Sequence, residues 1–316
     1  MATNNTLVGL QEFKLAQKLM GNHFEITVVA DDEQWAHENI RKAIAEIQRI
    51  ENLLSTFKAT SETNQINEAA GQHPIKVSAE MLGLVQRSLK ISALTDGAFD
   101  ITYGSIDKSL WNFDKTMAAL PDAKTAASMV RLINYKNVIV DAEQQTIFLK
   151  EAGMRIGFGG IGKGYAAEMA KQLLIQNGVT SGIVNASGDL TTWGVQANGQ
   201  PWRVGIANPD MPHVPLSHLQ LSNMAIATSG NYEKFVIIDG KKYSHTINPR
   251  TGLPVNGIKS VTIISPNAEL ADALATPVTI MGVNAGLHLI NQIHHLECII
   301  ITDDNNIYTS KNIHLN

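Results

Sequence analysis

The sequence predicts an α+β fold: a single domain in which a mixed or antiparallel sheet carries packed helices. Two observations predict it. Long helical patterns early in the chain give way to many short strands later, with no regular βα alternation. No repeat, low-complexity tract or linker divides the 316 residues, and 44% of them are hydrophobic, enough for one large core.

The elements follow in order. Residues 24–30 (FEITVVA) alternate as a strand. Between 32 and 54, Ile40, Ala43, Ile44, Ile47, Ile50 and Leu54 recur at helical spacing and mark one amphipathic helix. The polar stretch STFKATSETNQIN reads as a loop. A second helix fits 78–94, capped by Ser78 and followed by the loop TDGAFDITYGS. A short helix at 122–132 leads to a hairpin of 137–140 with 146–149, and a helix at 163–176 stops at Gly178. Short strands follow at 182–185, 190–195, 203–206, 225–228 and 235–238, the last turning at Asp239-Gly240 into 242–245. A strand at 259–264 precedes a helix at 267–276 that Pro277 ends. A helix at 284–293 and a hairpin of 298–302 with 307–310 close the chain. The domain is expected over 19–316, after an N-terminal extension of residues 1–18.

Composition narrows the function. Net charge is −4 and no run of Lys or Arg stands out, so nucleic acid is not an expected partner. The single Cys298 excludes an internal disulfide and, inside an apolar run, reads as a core residue. No stretch approaches the roughly 18 apolar residues of a membrane span. The N-terminus lacks the basic and apolar regions of a signal peptide. As written, the chain reads as soluble and cytoplasmic; a leader removed beforehand would make it periplasmic or membrane-anchored.

Residues 157–164 read GFGGIGKG, which nearly satisfies two nucleotide motifs. A dinucleotide fold wants an acid about 20 residues on, where Ser181-Gly182-Ile183-Val184 stand and Asp189 comes too late. A P-loop wants Ser or Thr where Gly164 stands. Two readings stay open. The glycines let backbone and a helix N-terminus approach an anion beside Lys163, or they allow tight packing of helix on sheet.

Other segments carry chemistry-bearing residue types. In ELADALATP, Asp272 and Thr276 are i and i+4 on one helix, so carboxylate and hydroxyl share a face as hard oxygen donors suited to Mg²⁺. The bland alternative is a solvated Asp and a helix-terminal Thr. His245 ends a strand ahead of the turn NPRTGLP, a place for acid–base work or a structural histidine. NASGDL is a small-residue turn where a ligand could approach backbone. DGAFDITYG sets Phe99 and Tyr103 beside Asp100 in a loop that one buried aromatic would also explain.

Taken in order, KLMGNHFEI, LSTFKATSETNQIN, DGAFDIT, GGIGKGYA, NASGDL, ATSGNYEKF, YSHTINPRTGLPV and ELADALATPVTIMG resemble the ApbE family of FAD:protein FMN transferases. The resemblance implies a T-fold-like α+β domain that cleaves FAD with Mg²⁺ and attaches FMN to a Thr or Ser hydroxyl of an acceptor flavoprotein, releasing AMP. Some members instead hydrolyse FAD to FMN and AMP, and a flavin-binding protein without turnover is a third reading. By position, Met20 and Phe57 would border the flavin or adenosine portion, and Ala98, Phe99 and Asp100 would line the FAD site. Lys163 and backbone near Ile247 would meet the diphosphate. Asp272 and Thr276, with carbonyls near Gly160 and Ala275, would hold magnesium, and His245 would deprotonate the acceptor hydroxyl. Four positions depart from the family pattern. Gly157 replaces a common Asp that contacts FAD, Phe57 a Tyr, Asn248 an Asp and Ser187 a Gly. The chain holds no D-x-x-[ST]-G-[AS]-[ST] acceptor motif, so the acceptor is a separate protein.

Overall fold

The computed structural model describes residues 9–107, 119–211, 215–230, 235–238 and 240–313. Asp239, expected at a hairpin turn, lies outside them, as do residues 1–8 and 231–234.

The chain opens with β1 (Gln11–Leu19) and β2 (Asn22–Ala30), then α1 (Glu33–Leu54), α2 (Glu62–Glu68), β3 (Ile75–Lys76), α3 (Ala79–Leu94) and α4 (Ala123–Met129). The middle holds β4 (Val138–Asp141), β5 (Thr146–Leu149), α5 (Gly162–Gln176), β6 (Gly182–Ala186), β7 (Asp189–Trp193), β8 (Trp202–Ile206), β9 (Ser217–Leu221) and β10 (Ala225–Gly230). It ends with β11 (Phe235–Ile238), β12 (Lys241–Ser244), β13 (Ile258–Ser265), α6 (Ala268–Met281), α7 (Val283–Ile290), β14 (Glu297–Thr302) and β15 (Ile307–Thr309).

One sheet organises the molecule, with strand order β1-β2-β6-β7-β10-β13-β14-β15 and antiparallel pairing throughout. Helices cover it in series. α1 packs on β1, β2 and α5; α5 on β6, β7 and α6; α6 on β10, β13 and α7. The main core fills that interface, including Ile26, Ile40, Ile47, Ala166, Ala170, Leu274 and Val278. Alternation along the strands turns Leu190, Ile226 and Ile264 away from it, into a second cluster with Val204 of β8 and Leu221 of β9. The α+β architecture with an antiparallel sheet is as expected.

Local chemistry explains the well-marked elements. Asp32 caps α1 by accepting the Trp35 amide, and Ser78 caps α3 by accepting that of Met81. Cys298 is fully buried in β14, and burial pushes its thiol up to about 12. Other elements depart from expectation. Gln11–Leu19, where the sequence predicts no strand, is an edge strand paired with β2 along its whole length. The polar loop 55–67 contains most of α2, capped by Ser61. Pro277 does not end α6, which runs on to Met281. The missing Pro277 amide and its ring cost about 3 kcal/mol in a helix interior. Burial of Leu274, Ala275, Pro277 and Val278 on one packed surface outweighs it.

Candidate functional site

The glycine loop is held in place before it becomes α5. Its Gly157 amide donates to the Ile101 carbonyl at 3.0 Å. Just upstream, the Asn67 side chain takes the Ile156 amide at 2.7 Å and donates to its carbonyl at 3.1 Å. The Phe158 carbonyl then accepts the Gly162 amide at 2.7 Å. Position Ile161 caps α5 without any side-chain hydrogen bond. The cap comes from another helix: Asp272 of α6 accepts the Gly164 amide on Oδ2 at 2.9 Å. A carboxylate there also suits the positive end of the α5 dipole.

That approach depends on glycine. A Cβ at Gly164 would lie 2.2 Å from the Ala268 carbonyl oxygen and 2.7 Å from the Asp272 Cβ. Gly164, the residue that spoils the P-loop pattern, is therefore required by the packing of α6 on α5. At Gly162 and Gly164 the N–H groups are already bonded, and do not face an anion as the first of the two readings of this loop would have them do. Gly157 and Gly159 differ: a Cβ at Gly157 meets only Thr56 Cγ2, at 3.8 Å, and one at Gly159 meets nothing within 4 Å.

Lys163, in the same first turn, forms an ion pair with Oδ2 of Asp189. Asp189 opens β7 after a two-residue turn in which Ser187 and Gly188 both have positive φ, at 54° and 99°. The Ser187 hydroxyl steadies this turn, accepting the His23 amide and donating to the His23 carbonyl. Asp189 and Asp272 are both buried. The Asp272 carboxyl is pushed up to about 7, first by burial and then by the Asp189 charge, against Lys163 and the first-turn amides of α5. Two buried carboxylates facing one ammonium leave a deficit of positive charge that suits a hard cation.

Thr276 lies one turn beyond Asp272 on α6 and donates to the Ser229 hydroxyl at 3.4 Å. Ala275 is buried, and its carbonyl accepts the Thr279 hydroxyl at 3.1 Å. Among the described residues no three His, Cys, Asp or Glu side chains converge as a metal cluster. A cation here would rest on one or two carboxylates with hydroxyl, carbonyl and water oxygens, a donor set that Mg²⁺ accepts.

The remaining residues surround the loop. The Phe99 ring lies 3.6 Å from where a Gly160 Cβ would stand, and Met20 Cε 3.5 Å from that of Gly162. Phe57, beside the Thr56 that neighbours Gly157, is 97% exposed. Asp100 faces inward: it accepts the Thr102 amide and hydroxyl on one oxygen and the Tyr135 amide on the other. Its carboxyl, pushed up by burial, thus organises the 98–105 loop from within, while the neighbouring Phe99 ring faces the glycine loop.

His245 follows β12 and is exposed, with Thr246 and Ile247 buried next to it. The Ile247 amide donates to the Tyr103 hydroxyl at 3.3 Å. The turn beyond closes through Asn248 N to the Leu253 carbonyl at 2.8 Å. Arg250 ties that turn to the Asp96 carboxylate at 2.5 Å. Tyr103 and Arg250 thus bring Ile247 and the histidine turn to the Ala98–Phe99–Asp100 loop.

Asp189 is the site residue that sequence reasoning missed. Motif spacing made it look too late, and its signal was the NASGDL turn, read only as a place for backbone approach. Asn67 closes the segment STFKATSETNQIN, which reads only as a polar loop.

These positions can be set against known proteins. The model of the ApbE family matches residues 20–300. The chain belongs to the ApbE family. It is 34% identical over 271 residues to an FAD:protein FMN transferase of Klebsiella pneumoniae (strain 342), covering 84% of this chain and 77% of the relative. With the FAD:protein FMN transferase of Escherichia coli (strain K12) it shares 31% over 274 residues, 85% of this chain and 78% of that one. The crystal structure of the ApbE protein of Thermotoga maritima superposes with a TM-score of 0.84 at 28% identity, covering 95% and 97% of the two chains. The ApbE match takes in the glycine loop, Lys163, Asp189, His245 and Asp272, and leaves β1 and β15 outside.

Proposed function

We propose that this chain is an FAD:protein FMN transferase that passes FMN from FAD to a Thr or Ser hydroxyl of a separate acceptor flavoprotein and releases AMP. One observation carries the reading: Asp272 and Lys163 meet at the N-terminus of α5, each fixed by a partner distant in sequence. The relatives' shared name supplies the reaction.

Magnesium fits the buried carboxylate excess. Asp272 and Thr276, with oxygens near Gly160 and Ala275, would hold it, and when bound it supplies charge neutralisation at the diphosphate. Lys163 meets the same negative charge. The exposed Phe57 ring, Met20 and Phe99 offer apolar surface for the flavin or adenine, and backbone near Ile247 lies against the diphosphate. His245 takes the proton of the acceptor hydroxyl. The acceptor oxygen bonds to the FMN phosphorus, the bridging P–O bond breaks, and AMP leaves with that oxygen. No side-chain nucleophile is needed, consistent with a buried Cys298. Among the described residues no helix is long and apolar enough to cross a membrane.

The test is chromatography of FAD incubated with the protein, Mg²⁺ and a candidate acceptor. AMP should appear in step with acceptor modification. AMP equal in amount without any acceptor would replace transfer by hydrolysis, and no AMP under any condition would leave only flavin binding.

A further inference from the structure

Asp189 stands out because both of its carboxylate oxygens are engaged by groups of different kinds. Oδ1 accepts the backbone amide of Thr228 on β10 at 3.0 Å, and Oδ2 pairs with the Lys163 ammonium. The backbone bond anchors the carboxylate to the central sheet, where β7 and β10 are neighbours. The residue after Thr228, Ser229, accepts the Thr276 hydroxyl. One stretch of β10 therefore steadies both the partner of Lys163 and a hydroxyl assigned to the metal site.

The electrostatics give this anchor a purpose. Lys163 sits on a flexible stem in the first turn of α5, where Asp272 accepts the Gly164 amide, so its ammonium lies near two buried carboxylates, Asp189 and Asp272. Without Asp189, the ammonium would lose this tether and move between solvent and Asp272, so that the carboxylate assigned to magnesium would share its charge with a lysine.

We propose that Asp189 is a positioning residue, tethering Lys163 to the sheet and keeping its ammonium off Asp272. The assignment rests on the transferase reading for its consequence in turnover, but not for the tether itself. A purely structural role, clamping β7 to β10, is the competing account.

Asp189→Asn separates the two, because the amide oxygen still accepts the Thr228 N–H while the charge that holds Lys163 is gone. Three readouts apply. Acetylation of Lys163 by acetic anhydride, followed by mass spectrometry, should rise several-fold in the variant. Its kcat for AMP release should fall about tenfold or more while FAD affinity without Mg²⁺, from flavin fluorescence, stays within about twofold. In a Lys163→Met background, adding Asp189→Asn should change kcat by less than about twofold, since both act through one group. Unchanged Lys163 labelling would overturn the tether, whatever the enzyme turns over. FAD affinity falling in parallel with kcat, or an undiminished loss in the Lys163→Met background, would make Asp189 a structural clamp. If Asp189→Asn does not fold, Asp189→Glu, which keeps the charge but displaces it, must show the same split between kcat and binding. Wild-type protein that binds FAD without making AMP would sink the transferase reading and leave the labelling experiment to decide the tether.

Discussion

The carboxylate of Asp272 caps a helix to which it does not belong, accepting the Gly164 amide at 2.9 Å across 108 residues of sequence. That contact joins the two halves of the candidate site, the glycine loop and α6. Asp272→Ala should therefore do two things. It leaves the buried Gly164 N–H without a partner, a loss of about 1–3 kcal/mol, and it abolishes AMP release. Asp272→Asn keeps an acceptor for that amide, so urea denaturation should show most of the stability retained while Mg²⁺-dependent turnover is still lost.

Gly164 should tolerate no side chain. Gly164→Ala places a methyl within 2.2 Å of the Ala268 carbonyl oxygen and forces α6 away from α5. Overpacking of this kind costs about 1–3 kcal/mol or more. Gly157→Ala, whose methyl would meet only Thr56 at 3.8 Å, should change stability by less than about 0.5 kcal/mol. Equal denaturation midpoints for the two variants would contradict the packing account.

The raised Asp272 carboxyl gives a pH signature with a definite sign. Its pKa is higher in the folded state, about 7, than in the unfolded chain, so the folded metal-free protein holds its proton more tightly. The Asp272 contribution to metal-free stability is greatest in acid, falls as pH rises through the ordinary carboxylate range towards 7, and levels off above it. A bound cation competes with that proton. The increase in Tm on adding Mg²⁺ should be larger at pH 8 than at pH 6 in scanning fluorimetry, and absent at both in Asp272→Ala.

His245, exposed at the end of β12, is assigned to proton transfer and not to holding FAD. His245→Ala should slow FMN transfer by about a hundredfold or more, with FAD affinity unchanged in a fluorescence titration. A parallel loss of FAD binding would make the histidine a ligand contact.

The parts legible in the sequence are those where local and tertiary preferences agree. α1 and α3 combine an apolar stripe with a side-chain cap, Asp32 and Ser78, so periodicity and punctuation mark the same residues. β1 shows no such agreement. QEFKLAQKL is exposed at most positions, and it is a strand because β2 offers a complete row of partners. Pro277 signals an end that packing overrides. At the site, Lys163 and Asp272 declare their chemistry by residue type. The role of Gly164 is steric and needs α6 in place. Asp189 acquires its partner only when the sheet brings β7 beside the first turn of α5, and no spacing rule along the chain contains that contact.

The central claim is transfer of FMN to a protein. Co-expression with a candidate acceptor flavoprotein, followed by mass spectrometry of its peptides, tests it most directly. The account predicts FMN joined by a phosphoester to one Thr or Ser of the acceptor, present with the wild-type chain and missing with Asp272→Ala. FMN found only free in solution, or an adduct that forms equally with the Asp272 variant, would contradict it.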